Sequence, residues 1–375
     1  MGQNDERDTR LAQPNPQVEQ GAATVTAPLL LGEYMRQAVG SSSPSTASPT
    51  QQGSTPAILE RGRTNHVLLY NGCFNPPHRG HLAHLVHAFR HAGAGLNVVG
   101  AVVLVADDLY LKWKLAGRYG LHKLDLKQRI RLWEEALAET KVYCHGNTVG
   151  EWCWVLSETL WPLYVDRLER LFRRDRVDVE FVRLAGGDKV SVGAVEHGVW
   201  GCNTMITTDV SRPVDFYTSN VGEVSLPRPL RNHGGWKVVG DMGDMGDRQG
   251  GQRQGNIVQS GRDGSFGKSN DSETLTTEAA IVSSSSTSAP AHGTITPAAS
   301  QYNRDVWTCS HQLNGRTIYF IPSSHEERVD PDLSSTKLRE IIADSDELDV
   351  EELEEKLQGV ALSPALLAQY IKGAK

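Results

Sequence analysis

The run His66-Val67-Leu68-Leu69-Tyr70, followed by Gly72-Cys73-Phe74-Asn75-Pro76-Pro77-His78-Arg79-Gly80-His81, decides how this chain folds. The first five residues make a short, mostly apolar run with the β-branched Val67 in it, as in a buried parallel strand. Gly72 ends the strand, and Asn75-Pro76-Pro77 forces a turn, because proline lacks an N–H and restricts the residue before it. Beyond the turn, Leu82, Leu85, Val86 and Phe89 recur at helical spacing, which predicts a helix opening near Arg79 or Gly80. His78 therefore precedes a helix and His81 lies in its first turn. Free backbone N–H groups and the positive end of the helix dipole gather there, so the turn favours an anion, and two imidazoles add directed donors.

Chance explains this poorly. At background frequencies the six fixed letters of G-x-F-x-P-x-H-x-G-H fall at a given start position on the order of once in 10^8.

Working outward, Val98 to Ala106 predicts a second strand, ending at Asp107-Asp108 where a βα loop begins. Asp125-Leu126-Lys127-Gln128 reads as a capping box, with Ile130, Trp133 and Leu137 on one face of the helix behind it. Leu160 to Phe172 predicts another helix. Val177 to Leu184, Thr204 to Thr208 and Thr317 to Pro322 are further strands. Strands and helices alternating at these lengths imply an α/β domain, a Rossmann-like parallel sheet with helices on both faces and ligands at the carboxyl ends of its strands.

The 375 residues carry a net charge of −7 and a pI near 6.0, which gives no general attraction to nucleic acid or to an anionic membrane. No apolar run is long enough to span a bilayer, and the acidic start at Asp5, Glu6 and Asp8 is unlike a signal or transit peptide. Five cysteines without C-x-x-C or zinc spacing point to reduced thiols and a cytoplasmic or nuclear setting. Residues 1–60, rich in Gln, Ser, Thr, Pro and Ala, read as a disordered tail. Residues 219–305, with Gly-Gly-Gln-Arg-Gln-Gly and a serine run, read as a disordered internal insertion that could recruit an unidentified protein partner. The folded domain is then 61–218 together with 306–375. His84, His87 and His91 share a helix face. Metal binding is the alternative for them, but no carboxylate or cysteine accompanies them, so they read as a solvated face and no metal ligand is assigned.

A second motif follows the last strand. In Leu333-Ser334-Ser335-Thr336-Lys337-Leu338-Arg339, Ser335 or Thr336 caps a helix with Leu338, Ile341 and Ile342 facing inward. Its hydroxyls, free N–H groups and Arg339 make a second anion clamp opposite the first.

The first motif resembles the signature of the H-x-G-H nucleotidyltransferase superfamily. The second is similar to the I-S-S-T-x-I-R motif of the nicotinamide/nicotinate mononucleotide adenylyltransferases, with Leu here for each Ile. The resemblance covers about residues 65–218 and 315–375. It implies a nucleotidyltransferase-type fold and an enzyme of NAD biosynthesis that joins AMP from ATP to NMN or NaMN with release of pyrophosphate. Mg2+ would be bound mainly through the substrate phosphates.

Carried onto this sequence, the family's catalytic groups fall at His78, His81, Lys112 and Arg339. ATP would meet Gly72, Cys73, Phe74, Gly80, Gly186, Asp188, Arg212, Ser334, Ser335 and Thr336. The mononucleotide would meet Lys112, preferred over Lys114 by its spacing from Asp108, together with Trp152 and Trp200. Arg129 falls at the family's helical arginine. The nearest alternative is transfer of CMP or AMP to phosphocholine, phosphoethanolamine or phosphopantetheine, and another is a non-catalytic nucleotide-binding scaffold. A class I aminoacyl-tRNA synthetase shares H-x-G-H, but this chain has no K-M-S-K-S segment.

Overall fold

In the computed structural model the described residues are 27–40, 55–92, 96–116, 123–144, 147–196, 200–218, 226–239 and 305–373. Most of the expected tail and insertion, including residues 1–26, 41–54 and 240–304, lies outside them.

The chain begins with β1 (Leu29–Leu30), α1 (Leu31–Val39) and β2 (Ile58–Leu59), then enters the sheet through β3 (Asn65–Gly72), α2 (Arg79–His91) and β4 (Val98–Val105). Next come α3 (Asp108–Lys114), α4 (Leu126–Glu139), a small hairpin of β5 (Val142–Cys144) and β6 (Asn147–Val149), and β7 (Cys153–Ser157). α5 (Trp161–Asp175), β8 (Val179–Ala185) and β9 (Thr204–Thr208) follow. β10 (Lys237–Val239), β11 (Val306–Ser310) and β12 (Thr317–Ile321) lead to α6 (Ser335–Ala343), α7 (Val350–Leu357) and α8 (Pro364–Gly373).

Eight strands form the main sheet in the order β10-β11-β12-β9-β8-β3-β4-β7. The six from β12 to β7 are parallel, whereas β10 and β11 run antiparallel at one edge, a departure from the all-parallel expectation. Counted along the chain, the parallel strands lie third, second, first, fourth, fifth, sixth across the sheet. This is the doubly wound order, in which connections reverse direction between the first and fourth strands. Here those strands are β3 and β8, and the crevice beyond their carboxyl ends is where such a sheet binds ligands.

Alternation along β3 explains the layers. Leu68 and Tyr70 point to one face, packed by Leu85, Ala88 and Phe89 of α2 and Trp133 of α4, while Val67 and Leu69 point to the other, under α1 and α5. α6, α7 and α8 pack on one another and on Leu132 of α4.

Two boundaries differ from expectation. Residues 29–39 and 57–59 belong to the domain rather than to a tail: Leu31, Tyr34, Met35 and Ala38 are buried, and the Tyr34 hydroxyl donates to Asp175 at 2.7 Å. Their i, i+3, i+4, i+7 spacing is a helical stripe, but nine residues alone cannot hold a helix in water, so packing against α5 supplies its stability. Residues 226–239 likewise belong to the fold rather than to the insertion, with Leu230 buried beside Phe216 and Phe320, and β10 paired with β11. No described helix is long and apolar enough to cross a membrane.

Candidate active site

The turn after β3 is shaped by close packing. A Cβ on Gly72 would lie 2.8 Å from the Phe74 ring, so only glycine lets that ring fold back over the strand end. Phe74 itself has φ +46°, a left-handed backbone that a bulky residue rarely adopts. Its ring is held against Tyr70, His81 and Trp133 at centroid distances of 5.3, 5.0 and 5.2 Å.

His78 is the N-cap of α2, and its imidazole stacks on that of His81 with centroids 3.6 Å apart. The backbone N–H of His78 donates to His81 Nδ1 at 3.2 Å, which leaves the His81 proton on Nε2 as a donor. Both ring nitrogens of His78 are buried without a well-formed hydrogen bond, the ring standing in capping-box position over the backbone N–H of His81. Buried polar atoms left in this way call for a partner, and at a helix start beside a strand-end crevice a bound anion can supply it.

Burial, then the charge of Arg212, pulls the His78 imidazole down to about 3. Burial and then the charges of His78, Arg212, His84 and Lys114 hold His81 well below its usual range. Both rings are therefore neutral donors at neutral pH, and the positive charge around them comes from Arg212 and Lys114.

Arg212 and Asp188 sit at the ends of β9 and β8, across the switch point from the histidines. The Asp188 carboxylate folds over Gly186, where a Cβ would come within 2.6 Å of Oδ1. At Gly187 a Cβ would meet Val214 at 2.9 Å and the Arg212 carbonyl at 3.4 Å, so glycine is what lets the two loops touch. Buried His84 joins them underneath. Its Nε2–H donates to the Ala185 carbonyl at 3.1 Å, so Nδ1 accepts from the Thr208 hydroxyl at 2.9 Å. Burial pulls this imidazole down to about 4.

The second motif meets the first directly. Ser334, rather than Ser335 or Thr336, caps α6, accepting from the Lys337 N–H at 3.1 Å. The Ser335 hydroxyl donates to the Pro76 carbonyl at 2.8 Å, and Arg339 donates to the Asn75 carbonyl at 2.6 Å and to Thr336 Oγ1 at 2.9 Å. A Cβ on Gly80 would lie 3.6 Å from Leu333. The segments 75–80 and 333–339 thus converge as the sequence implies. Arg339, however, is buried at their junction and ties them together instead of standing open as a clamp.

Arg129 is fully buried and performs a similar service on the other side. It donates to the carbonyls of Cys73 at 2.7 Å and Ala106 at 2.8 Å and to Asp108 Oδ1 at 2.7 Å, locking the ends of β3 and β4 together. Burial pushes the Cys73 thiol up, against the pull of Lys114 and Arg129, so it stays protonated and is no nucleophile.

Three assignments change. Lys114, not Lys112, bears on the site, since its charge reaches both His81 and Cys73. The reason is that Asp107 caps a helix where the sequence reading expects a loop, and residues two apart on a helix point about 200° away from each other. Trp152 lies just before the amino end of β7, packed on Phe89 at 4.7 Å, and so sits at the wrong end of the sheet. Trp200 packs partly buried against the cluster beneath α1 and α5, four residues before β9, also away from the carboxyl-end crevice. The histidine face of α2 is not solvated either: His84 and His87 are buried, and Glu327 reaches His87 and His91 from another element.

Groups that sequence reading passed over include Asn75, whose Oδ1 accepts from the Leu124 N–H at 2.9 Å, and Glu158. The latter takes a hydrogen bond from Asn71 at 3.3 Å across the ends of β7 and β3. Recognising Cys153–Ser157 as a strand would have placed Glu158 at a carboxyl end.

The three neutral histidines make stability sensitive to acid. Their folded pKa values lie below the unfolded value near 6.5, so the unfolded chain binds more protons once pH falls below about 6.5. Stability is complete above that pH and is expected to fall by about 1.4 kcal/mol per pH unit for each histidine that stays neutral. Urea midpoints should therefore drop between pH 7 and pH 5; a flat profile would contradict the buried, uncharged state.

A comparison with models of known protein families finds no match to this chain, and one with curated protein sequences finds none either. The resemblance therefore rests on the residues and their placement.

Proposed function

We propose that this protein is a nucleotidyltransferase that moves AMP from ATP to the 5′-phosphate of NMN or NaMN. A phosphate oxygen of the acceptor attacks the α-phosphorus of ATP, the bond to the bridging oxygen breaks, and pyrophosphate leaves with that electron pair. The observation that carries this reading is the orphaned His78 imidazole, stacked on His81 at a helix N-terminus and placed at the switch point of a doubly wound sheet. Such a pocket offers N–H donors to a polyphosphate as negative charge grows on the leaving group.

His78 and His81 would donate to the triphosphate, Arg212 and Lys114 would supply opposing charge, and Asp188 beside Gly186 would hold a ribose hydroxyl. Arg339 and Ser335 act as positioning residues, because they hold the carbonyls of Asn75 and Pro76 and so the turn that presents His78. At neutral pH the charges bearing on the two neutral imidazoles come from Arg212 and Lys114, a donor set suited to polyphosphate. Mg2+, when bound, would be held mainly by phosphate oxygens and water and would offset their charge.

The acceptor rests on less than the reaction does. With Trp152 and Trp200 away from the crevice, the S-S-T-x-L-R segment is the remaining ground for a pyridine nucleotide. Phosphocholine, phosphoethanolamine and phosphopantetheine therefore belong in the same test. Purified protein incubated with ATP or CTP and each acceptor should release pyrophosphate only with ATP and NMN or NaMN. Turnover with another acceptor would reassign the substrate, and ATP binding without turnover on any of them would make the protein a nucleotide-binding scaffold.

Within this reading, Lys114→Ala is expected to lower kcat/KM about tenfold, as removal of one exposed cation from a phosphate site should, while Lys112→Ala stays within about twofold. Steady-state kinetics on the two variants decide between them, and the reverse order would restore Lys112.

A further inference from the structure

We propose that His87, His91 and Glu327 form a zinc site that clasps α2 to the segment between β12 and α6. His87 and His91 are four residues apart on α2, so their rings project from the same face, with centroids 4.6 Å apart. Glu327 closes the 3-10 turn His325–Glu327 after β12, with Oε1 3.3 Å from His91 Nε2 and Oε2 3.9 Å from His87 Nδ1. The three ligand atoms lie within 4.8 Å of one another. Donors at zinc bond lengths of about 2.0–2.2 Å in a tetrahedron stand roughly 3.4 Å apart, so small side-chain shifts would complete the geometry.

The carboxylate is already oriented. Glu327 Oε2 accepts from the Ser324 N–H and from the Ser324 hydroxyl, both at 3.0 Å, which is the outer support a metal-binding carboxylate needs. His87 is buried, whereas the His91 and Glu327 side chains remain 31 % and 30 % exposed, leaving water a route to a fourth position. Two imidazoles, one carboxylate and water is a donor set of the zinc class. This group is separate from His78 and His81, which stand at the other end of α2.

The placement gives the metal a structural part. α2 carries His78 at its start, and the chain after Glu327 leads to Ser335 and Arg339, which hold the turn before His78. A metal at the far end of α2 would join the same two segments at a second point and fix how the helix lies against the second motif.

The test uses the full chain, stripped of metal and titrated with Zn2+ against a chromogenic chelator, with thermal melting as a second readout. We expect one equivalent to bind with a rise in melting temperature. Affinity should fall at least about 100-fold in His91→Ala and in Glu327→Gln, the latter being able to keep the Ser324 contact through its amide oxygen. His81→Ala should bind as the unaltered chain does. Equal binding by His91→Ala and Glu327→Gln, loss of binding in His81→Ala, or no uptake by the unaltered chain would each overturn the assignment.

Discussion

Replacing Arg129 with alanine is expected to destabilise the protein by about 3–5 kcal/mol, the scale for removing one partner of a buried charged network. Its guanidinium has no exposure and satisfies the carbonyls of Cys73 and Ala106 as well as Asp108. Asp108 is half exposed and can turn to water, so most of the cost falls on the two buried carbonyls, each orphaned at about 1–3 kcal/mol. Arg129→Lys should recover little, since one ammonium cannot reproduce a planar fork reaching four acceptors, the Asp125 carbonyl among them. Urea unfolding measures the loss directly. A drop below about 1 kcal/mol would mean that the strand ends are held by something other than this residue.

His81→Ala is expected to lower turnover by about 10²–10³, the usual effect of deleting one donor to a developing oxyanion, with the fold retained. The His81 ring stacks on His78 and meets Phe74, but its hydrogen bond within the protein is only to the His78 N–H, so truncation should cost some packing and still leave the sheet and helices formed. Turnover measured on the acceptor that supports reaction, beside an unchanged circular dichroism spectrum, separates chemistry from folding. Near-normal turnover would remove the histidine pair from the reaction.

The central strands were legible because each is a short apolar run closed by turn-forming residues. Thr204–Thr208 stands as expected, and the capping box at Asp125 forms as read. Both motifs also meet in space. What could not be read was which side of a helix or strand a residue would face. The spacing from Asp108 favours Lys112 over Lys114 in the sequence, and once Asp107 caps a helix the two lysines point to opposite sides and Lys114 bears on the site. A tryptophan carries no mark of which end of a strand it will occupy, and Trp152 and Trp200 both came to rest near amino ends.

The histidines of α2 show a different limit. Hydropathy treats imidazole as polar, but His84 is buried because Ala185 and Thr208 satisfy both its nitrogens, and those partners lie about a hundred residues away or more. Glu327 is more distant still, so no window of sequence could show it beside His87 and His91. The tail boundary was misplaced for an energetic reason. α1 is too short to be stable alone, and its stripe acquires meaning only against Tyr164, Leu168 and Phe172 of α5.

The edge ladder has a consequence for how this chain can vary. Val239 pairs directly with Val306, so β10 and β11 are zipped together up to the residues that flank the long serine- and glycine-rich stretch. Strand partners held this way already have their separation set, and a two-residue reverse turn could span them. The described chain leaves the sheet at Val239 and re-enters it at Val306, on the margin farthest from β7, so additions or deletions in the sequence between them are expected to leave the crevice at β3 and β8 undisturbed.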